Sequence, residues 1–330
     1  MNKKIPVTII TGYLGSGKTT LLNRILTEEH EHKTAVIVNE FGDVGIDNQL
    51  VVDTEEEIFE MNNGCICCTV RGDLIRVLQT LKVSKLGSSD QSVDFDRVVI
   101  ETTGLADPGP VVQTFFVEPE IANFYELDAV VTVVDSHHLD QQLNHGNEAA
   151  EQIAFADTIL LNKTDLVEKE QLDQLKGRLR KMNHAAKIHF TEQSNIDIDK
   201  ILGIYSFDLD QKLEIEPDLL DEEHHHHHDD AVSSFAIQMK EPLNLDKVER
   251  LINEIIQVRG ENLFRYKGIL YIKGVEQRVV FQGIHMLFSA NMDRNWKHEE
   301  ERKSEMVFIG KELDQEWFEK KFEKCVWTKS

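Results

Sequence analysis

The segment Gly12-Tyr13-Leu14-Gly15-Ser16-Gly17-Lys18-Thr19 has the spacing G-x-x-x-x-G-K-[ST]. Such a loop holds nucleotide phosphates: its glycines let backbone N–H groups wrap the oxygens, Lys18 reaches the β and γ oxygens, and the Thr19 hydroxyl suits Mg²⁺. The context agrees. The β-branched run Val7 to Ile10 reads as a strand, and Leu21, Leu22, Ile25 and Leu26 recur at helical spacing. Gly12, Gly15, Ser16, Gly17, Lys18, Thr19 and Thr20 are the expected phosphate contacts, and Lys18 and Thr19 are also expected to serve catalysis.

A second motif speaks to the base. The apolar run Thr158 to Leu161 ends in Asn162-Lys163-Thr164-Asp165, an N-K-x-D arrangement. Asp165 can accept from the ring N–H and exocyclic amine of guanine, Asn162 can bond the other edge, and the Lys163 stem can cover the ring. Adenine lacks that pair of donors, and a site built on hydrogen bonding rejects such a mismatch strongly.

Two carboxylate-bearing segments complete a hydrolytic site. Val98-Val99-Ile100-Glu101 is a hydrophobic strand ending in a carboxylate, followed by Thr102-Thr103-Gly104. Glu101 is placed to serve Mg²⁺ or to position water, and the Gly104 N–H to contact the γ-phosphate. Asn39-Glu40-Phe41-Gly42-Asp43 has the position of a switch segment, with Glu40 and Asp43 near Mg²⁺ or a second metal.

The most unusual cluster is Asn62-Asn63-Gly64-Cys65-Ile66-Cys67-Cys68-Thr69. Thiols so crowded do not cross-link distant elements, and free structural cysteines have no reason to gather. Clustered thiolates bind borderline metals such as Zn²⁺, and a helix beginning near Thr69 lowers thiol pKa. Three thiolates leave a tetrahedral ion one ligand short. Glu40, Asp43, a histidine or a recipient protein can supply the fourth, so the set suits transfer better than storage. Cys325 stands apart and reads as a packed or incidental thiol.

Alternating elements must position these groups. Strands are expected at 35–40, 96–101, 127–134, 157–162 and 187–190, and helices at 69–82, 108–116, 147–156 and 168–182. This alternation implies a parallel sheet with helices on both faces and ligand loops at the carboxyl ends of the strands. From Glu214 to Asp230 the pattern stops: eight carboxylates and His224, His225, His226, His227 and His228 occur there without Lys or Arg. Such a stretch buries no core. Its neutral imidazoles offer weak, multivalent capture of Zn²⁺, Ni²⁺ or Co²⁺. His137 and His138, after the strand-end Asp135, are further possible ligands. Beyond the linker, strands at 232–240, 264–273, 277–289 and 306–309 and helices at 244–258 and from Asp314 read as a small α+β domain.

The expected fold is an α/β P-loop NTPase domain with a mostly parallel sheet, followed by a smaller α+β C-terminal domain. Its expected bounds are 1–208 for the GTPase domain, 209–231 for the acidic His-rich linker and 232–330 for the second domain. The 330 residues carry a net charge of −23, which disfavours nucleic acid and anionic membranes as partners. With no apolar span, a cytoplasmic protein is expected.

Taken together, Gly12 to Thr19, Asn39 to Asp43, the Cys65-Ile66-Cys67-Cys68 motif, Glu101 to Gly104 and Asn162 to Asp165 resemble the CobW-type metal-chaperone GTPases. Gly104 to Pro110 and Phe264 to Gly268 resemble the YjiA branch in particular. The resemblance covers essentially the whole chain. It implies a GTPase that binds GTP and Mg²⁺, holds Zn²⁺ on Cys65, Cys67 and Cys68, and delivers it to a metal-requiring client, with nucleotide- or metal-dependent homo-oligomers possible. Two departures stand out. Val38 occupies a position that can be an acidic ligand in this branch, and with the first strand beginning almost directly, the docking extension of eukaryotic relatives is not expected, so a methionine aminopeptidase client does not follow. A cobalt or nickel chaperone is the first competing reading. A zinc buffer with GTP as a passive ligand is the second.

Overall fold

The computed structural model describes residues 4–28, 33–39, 58–61, 68–87, 94–206 and 232–328, without the side chains of 39, 58–61 and 68–70. The chain divides into two compact units, Met1–Lys176 with Ala186–Phe207 and Gly177–Ala185 with Asp208–Ser330.

The first unit is built on seven parallel strands: β1 (Ile5–Thr11), β2 (Thr34–Asn39), β3 (Ile58–Met61), β4 (Arg97–Glu101), β5 (Tyr125–Asp135), β6 (Thr158–Asn162) and β7 (Lys187–Phe190), in the order β3-β2-β4-β1-β5-β6-β7. All seven residues of β1 are buried, as a central parallel strand covered on both faces requires. Its alternate side chains face different helices. Ile10 joins Val131, Val133 and Leu160 against Leu21, Leu22, Ile25 and Leu26 of α1 (Lys18–Thr27). On the other face the Thr132 hydroxyl donates to the Gln152 carbonyl of α6 (Glu148–Phe155) at 2.8 Å, and α3 (Gly109–Val117) also contacts β5.

α2 (Cys68–Leu86) and α7 (Lys169–Met182) form where periodicity predicts them. β3, α4 (Pro119–Ala122) and α5 (Leu139–His145) were not anticipated. They span four, four and seven residues, too short for an apolar period to show.

A buried carboxylate closes the end of this unit. Asp128 accepts from the Thr8 hydroxyl at 2.7 Å, the Gly203 N–H at 2.8 Å and the Tyr205 N–H. Burial outweighs these donors and pushes its carboxyl above the usual range.

The second unit is a five-stranded antiparallel sheet of β8 (Val232–Met239), β9 (Leu263–Leu270), β10 (Gln277–Ile284), β11 (Leu287–Asn295) and β12 (Ser304–Lys311), in the order β11-β10-β9-β12-β8. Val248, Leu251, Ile252 and Ile255 of α8 (Leu245–Arg259) and Phe318 and Phe322 of α9 (Gln315–Glu323) pack with Phe235, Phe281 and Phe308. Asn244 and Asp314 cap the two helices, accepting from the Lys247 and Trp317 N–H groups at 3.0 Å each. The run 277–289, read as one strand, is a hairpin, because His285 takes a left-handed conformation (φ 50°) and reverses the chain. His285-Met286 carries none of the Gly, Asn or Asp signals that mark such turns. Cys325 is buried in this core, as a packed thiol should be.

Asp128 supplies a stability test. Its folded-state pKa lies above the unfolded value, so its protonation favours the fold; that contribution is fully present below the unfolded carboxylate pKa and is lost as pH rises through the folded pKa. The hydrogen bonds act at every pH. Asp128→Ala orphans the Gly203 and Tyr205 N–H groups and is expected to cost about 3 kcal/mol at neutral pH, measured by urea unfolding.

Candidate nucleotide site

Parallel pairing brings four strand ends to one edge. Ile10 lies opposite Glu101, Thr11 opposite Thr132, and Asp135 opposite Asn162, so the loops after β1, β4, β5 and β6 are neighbours. The first loop runs from Gly12 to the start of α1 and turns at Gly12, Gly15 and Gly17, all at positive φ. Lys18 is buried, with its ammonium donating to the Tyr13 carbonyl at 3.2 Å. The Thr19 hydroxyl donates to Glu101 at 3.2 Å. A hydroxyl and a carboxylate together are the hard oxygen donors that suit Mg²⁺.

The loop after β4 is pressed onto the phosphate loop. Thr102 donates from its N–H to the Ile10 carbonyl at 2.9 Å and from its hydroxyl to Thr11 at 2.8 Å. A Cβ on Gly104 would sit 2.6 Å from the Leu14 nitrogen, so only glycine fits this approach. The buried Gln152 amide fixes the loop by donating to the carbonyls of Gly104 at 3.2 Å and Ala106 at 3.1 Å. Nothing in the sequence marks Gln152, a single amide in an otherwise apolar helix face.

Asn162 bonds protein on both sides of its carboxamide. Its Nδ2 donates to the Ser16 carbonyl at 2.9 Å, and its Oδ1 accepts from the Thr191 hydroxyl at 3.1 Å and the Ser194 N–H at 2.8 Å. These bonds make Asn162 a bridge between the phosphate loop and segment 191–195, and they use one of its two amide hydrogens. Ser194 adds a hydroxyl donation to the Gly17 carbonyl at 3.0 Å. This segment was not read from the sequence. Its signal is conformational, since Gln193 and Ser194 both have positive φ.

Lys163 and Asp165 point to different cavities. Asp165, exposed, lines a cavity of about 410 Å³ with Thr20, Arg24, Glu192, Gln193 and Asn195. Lys163 lines one of about 330 Å³ with Tyr13, Leu14, Gly15, Asp135, His138 and residues of α5. Its backbone is left-handed (φ 63°), its carbonyl accepts from the Ser136 hydroxyl at 2.9 Å, and its ammonium bonds Asp135 at 2.7 Å. The Asp135 carboxylate also meets His138 Nδ1 at 3.0 Å and the His137 N–H at 3.0 Å. Burial acts to raise its pKa, but Lys163, His138 and the backbone donor prevail and hold it below the usual range. His138 thus engages Asp135 through Nδ1, and among the described residues there is no group of three or more His, Cys, Asp or Glu that could hold a metal ion.

Glu40, Asp43, Cys65, Cys67 and His224 to His228 lie outside the described residues, as does the Cys68 side chain. The Cys68 backbone opens α2.

A model of the CobW/HypB/UreG nucleotide-binding domain matches residues 6–190, and one of the cobalamin synthesis protein cobW C-terminal domain matches 232–326. The chain belongs to the CobW family. It is 38% identical to the zinc chaperone YjiA of Escherichia coli, over 94% of this chain and 96% of that protein. Its identity to the zinc chaperone CobW of Pseudomonas aeruginosa is 37%, over 94% and 89% of the two chains. The crystal structure of Zn(II)-bound YjiA GTPase from E. coli superposes with a TM-score of 0.80 at 33% identity, covering 98% of this chain and all of that one. In this CobW-family chain no described helix is long and apolar enough to cross a membrane.

Gly17 provides the sharpest test of the site. It has φ 114°, and a Cβ there would lie 2.5 Å from Asn162 Nδ2. Gly17→Ala is expected to strain the loop by about 1–3 kcal/mol and to weaken nucleotide binding at least tenfold while the second unit still folds. Nucleotide titration alongside thermal unfolding checks this.

Proposed function

We propose that this protein is a GTP-hydrolysing zinc chaperone that binds metal on Cys65, Cys67 and Cys68 and passes it to a metal-requiring client under nucleotide control. The observation that carries the nucleotide part is the Asn162 bridge, which ties the phosphate loop to the segment bearing Asp165 and opens that carboxylate onto a cavity. A base reader and a phosphate cradle held rigidly together fit a nucleotide of fixed length. The chaperone part is supported by the names of the full-length relatives and by the ligand chemistry of the cysteine motif.

In this reading Gly12 to Thr20 and Gly104 hold the phosphates, Asp165 selects guanine, and Lys163 flanks the base. Lys18 stabilises charge developing between the β and γ phosphates. Thr19 and Glu101 would hold Mg²⁺, which when bound neutralises phosphate charge. Glu40 and Asp43 are assigned to the metal or Mg²⁺ surroundings, and the histidine run to weak auxiliary capture. The GTPase domain is taken as 1–208, the linker as 209–231 and the C-terminal domain as 232–330, in a cytoplasmic setting with the client unidentified.

GTP is expected to bind at least about a hundredfold more tightly than ATP, because adenine leaves Asp165 without its two donors. Lys18→Ala is expected to lower GTP turnover by about two orders of magnitude or more. Equal affinities for the two nucleotides defeat the base assignment, and undiminished turnover in the Lys18 variant removes the phosphate loop from the mechanism. Calorimetric titration and phosphate-release assays decide both.

A further inference from the structure

A lysine two residues from a base-reading carboxylate poses a problem. If the Lys163 ammonium folded onto Asp165, it would neutralise the acceptor that guanine needs. In the structure it does not: Asp165 makes no hydrogen bond or ion pair with another described residue, and Lys163 is bound to Asp135 at 2.7 Å. Asp135 is buried at the end of β5, its Oδ1 pinned by the His137 and His138 N–H groups at 3.0 and 3.2 Å. The peptide that carries Lys163 is fixed from the same strand end. The Ser136 N–H donates to the Asn162 carbonyl at 2.9 Å, the Ser136 hydroxyl donates to the Lys163 carbonyl at 2.9 Å, and the left-handed turn at Lys163 sends the two side chains to separate cavities.

We propose that Asp135 is a specificity-determining positioning residue: by capturing the Lys163 ammonium on the phosphate-loop side, it keeps Asp165 unpaired and therefore selective for guanine. The inference rests on the guanine reading of Asp165. It assigns to the end of β5 a role in base choice although none of its residues need touch the base. A carboxylate already bonded to an ammonium has less to gain from the two guanine donors, so releasing Lys163 weakens GTP, while ATP, which is penalised by an unpaired Asp165, loses nothing.

The test is a double-mutant cycle on the full chain, with GTP and ATP affinities measured for the parent, Asp135→Asn, Lys163→Met and the double variant. Asp135→Asn is expected to weaken GTP about tenfold and ATP less than twofold. In the Lys163→Met background the same change is expected to alter GTP affinity less than twofold, because no ammonium remains to be misdirected. An equal loss in both backgrounds, or an unchanged GTP-to-ATP ratio in Asp135→Asn, overturns the proposal. A parent protein that fails to prefer GTP overturns the guanine reading itself, which separates the two failures. Should Asp135→Asn not fold, amine-reactive labelling of the parent still decides: Lys163 is expected to react more slowly than the exposed Lys169, and equal rates contradict the ion pair.

Discussion

The carboxamide of Asn162 is the contact on which the site depends. It donates to the phosphate loop at Ser16 and accepts from segment 191–195 at Thr191 and Ser194, so one side chain sets the spacing between the place for phosphates and the place for a base. Its demands reach outward. Gly17 must lack a Cβ because the amide occupies that space, and Ser194 accepts a left-handed backbone to bring its N–H to Oδ1. Each bond is buried, and leaving any partner unsatisfied costs more than the bond contributes when made. A rigid link of this kind lets affinity arise from preorganisation rather than from ordering on binding.

That contact is possible only because the sheet is parallel and in register. β4, β1, β5 and β6 all end at one edge, and the residues at or just past those ends are those with chemistry: Glu101, Gly12 to Thr19, Asp135 and Asn162. Apolar burial holds the strands, and backbone pairing fixes how far each extends. The polar groups need little structure of their own. Gln152 and Ser136 complete the arrangement by tethering loop carbonyls from neighbouring elements.

Much of this was legible from residue types. β1 and α1 carry unbroken periodicity around a spaced glycine motif, and the N-K-x-D sequence follows an apolar strand, so their positions in the fold were readable. What escaped the sequence was relational. That Asn162 also bonds the Ser16 carbonyl, and that Lys163 turns toward the strand-end Asp135, depend on which loops the fold makes neighbours. Segment 191–195 and Gln152 have no composition signal, because their function lies in backbone conformation and in contacts more than 30 residues away in sequence. The hairpin at His285 was hidden for a different reason: apolar residues continue through it, and the reversal is carried by φ alone.

β3, which precedes the Cys65 to Cys68 motif in the chain, ends at the sheet edge that carries the phosphate loop, three strand spacings, or about 14 Å, from β1. A nucleotide that orders the loops along that edge can bias such a site, and a hundredfold change in metal affinity needs only about 2.7 kcal/mol of coupling. The most direct measurement is the Zn²⁺ affinity of the protein bound to GDP and to a slowly hydrolysed GTP analogue, by chelator competition. A chaperone predicts affinities that differ by about two orders of magnitude, with Zn²⁺ shifting nucleotide affinity by the same factor; equal Zn²⁺ affinities in the two nucleotide states contradict nucleotide-controlled delivery.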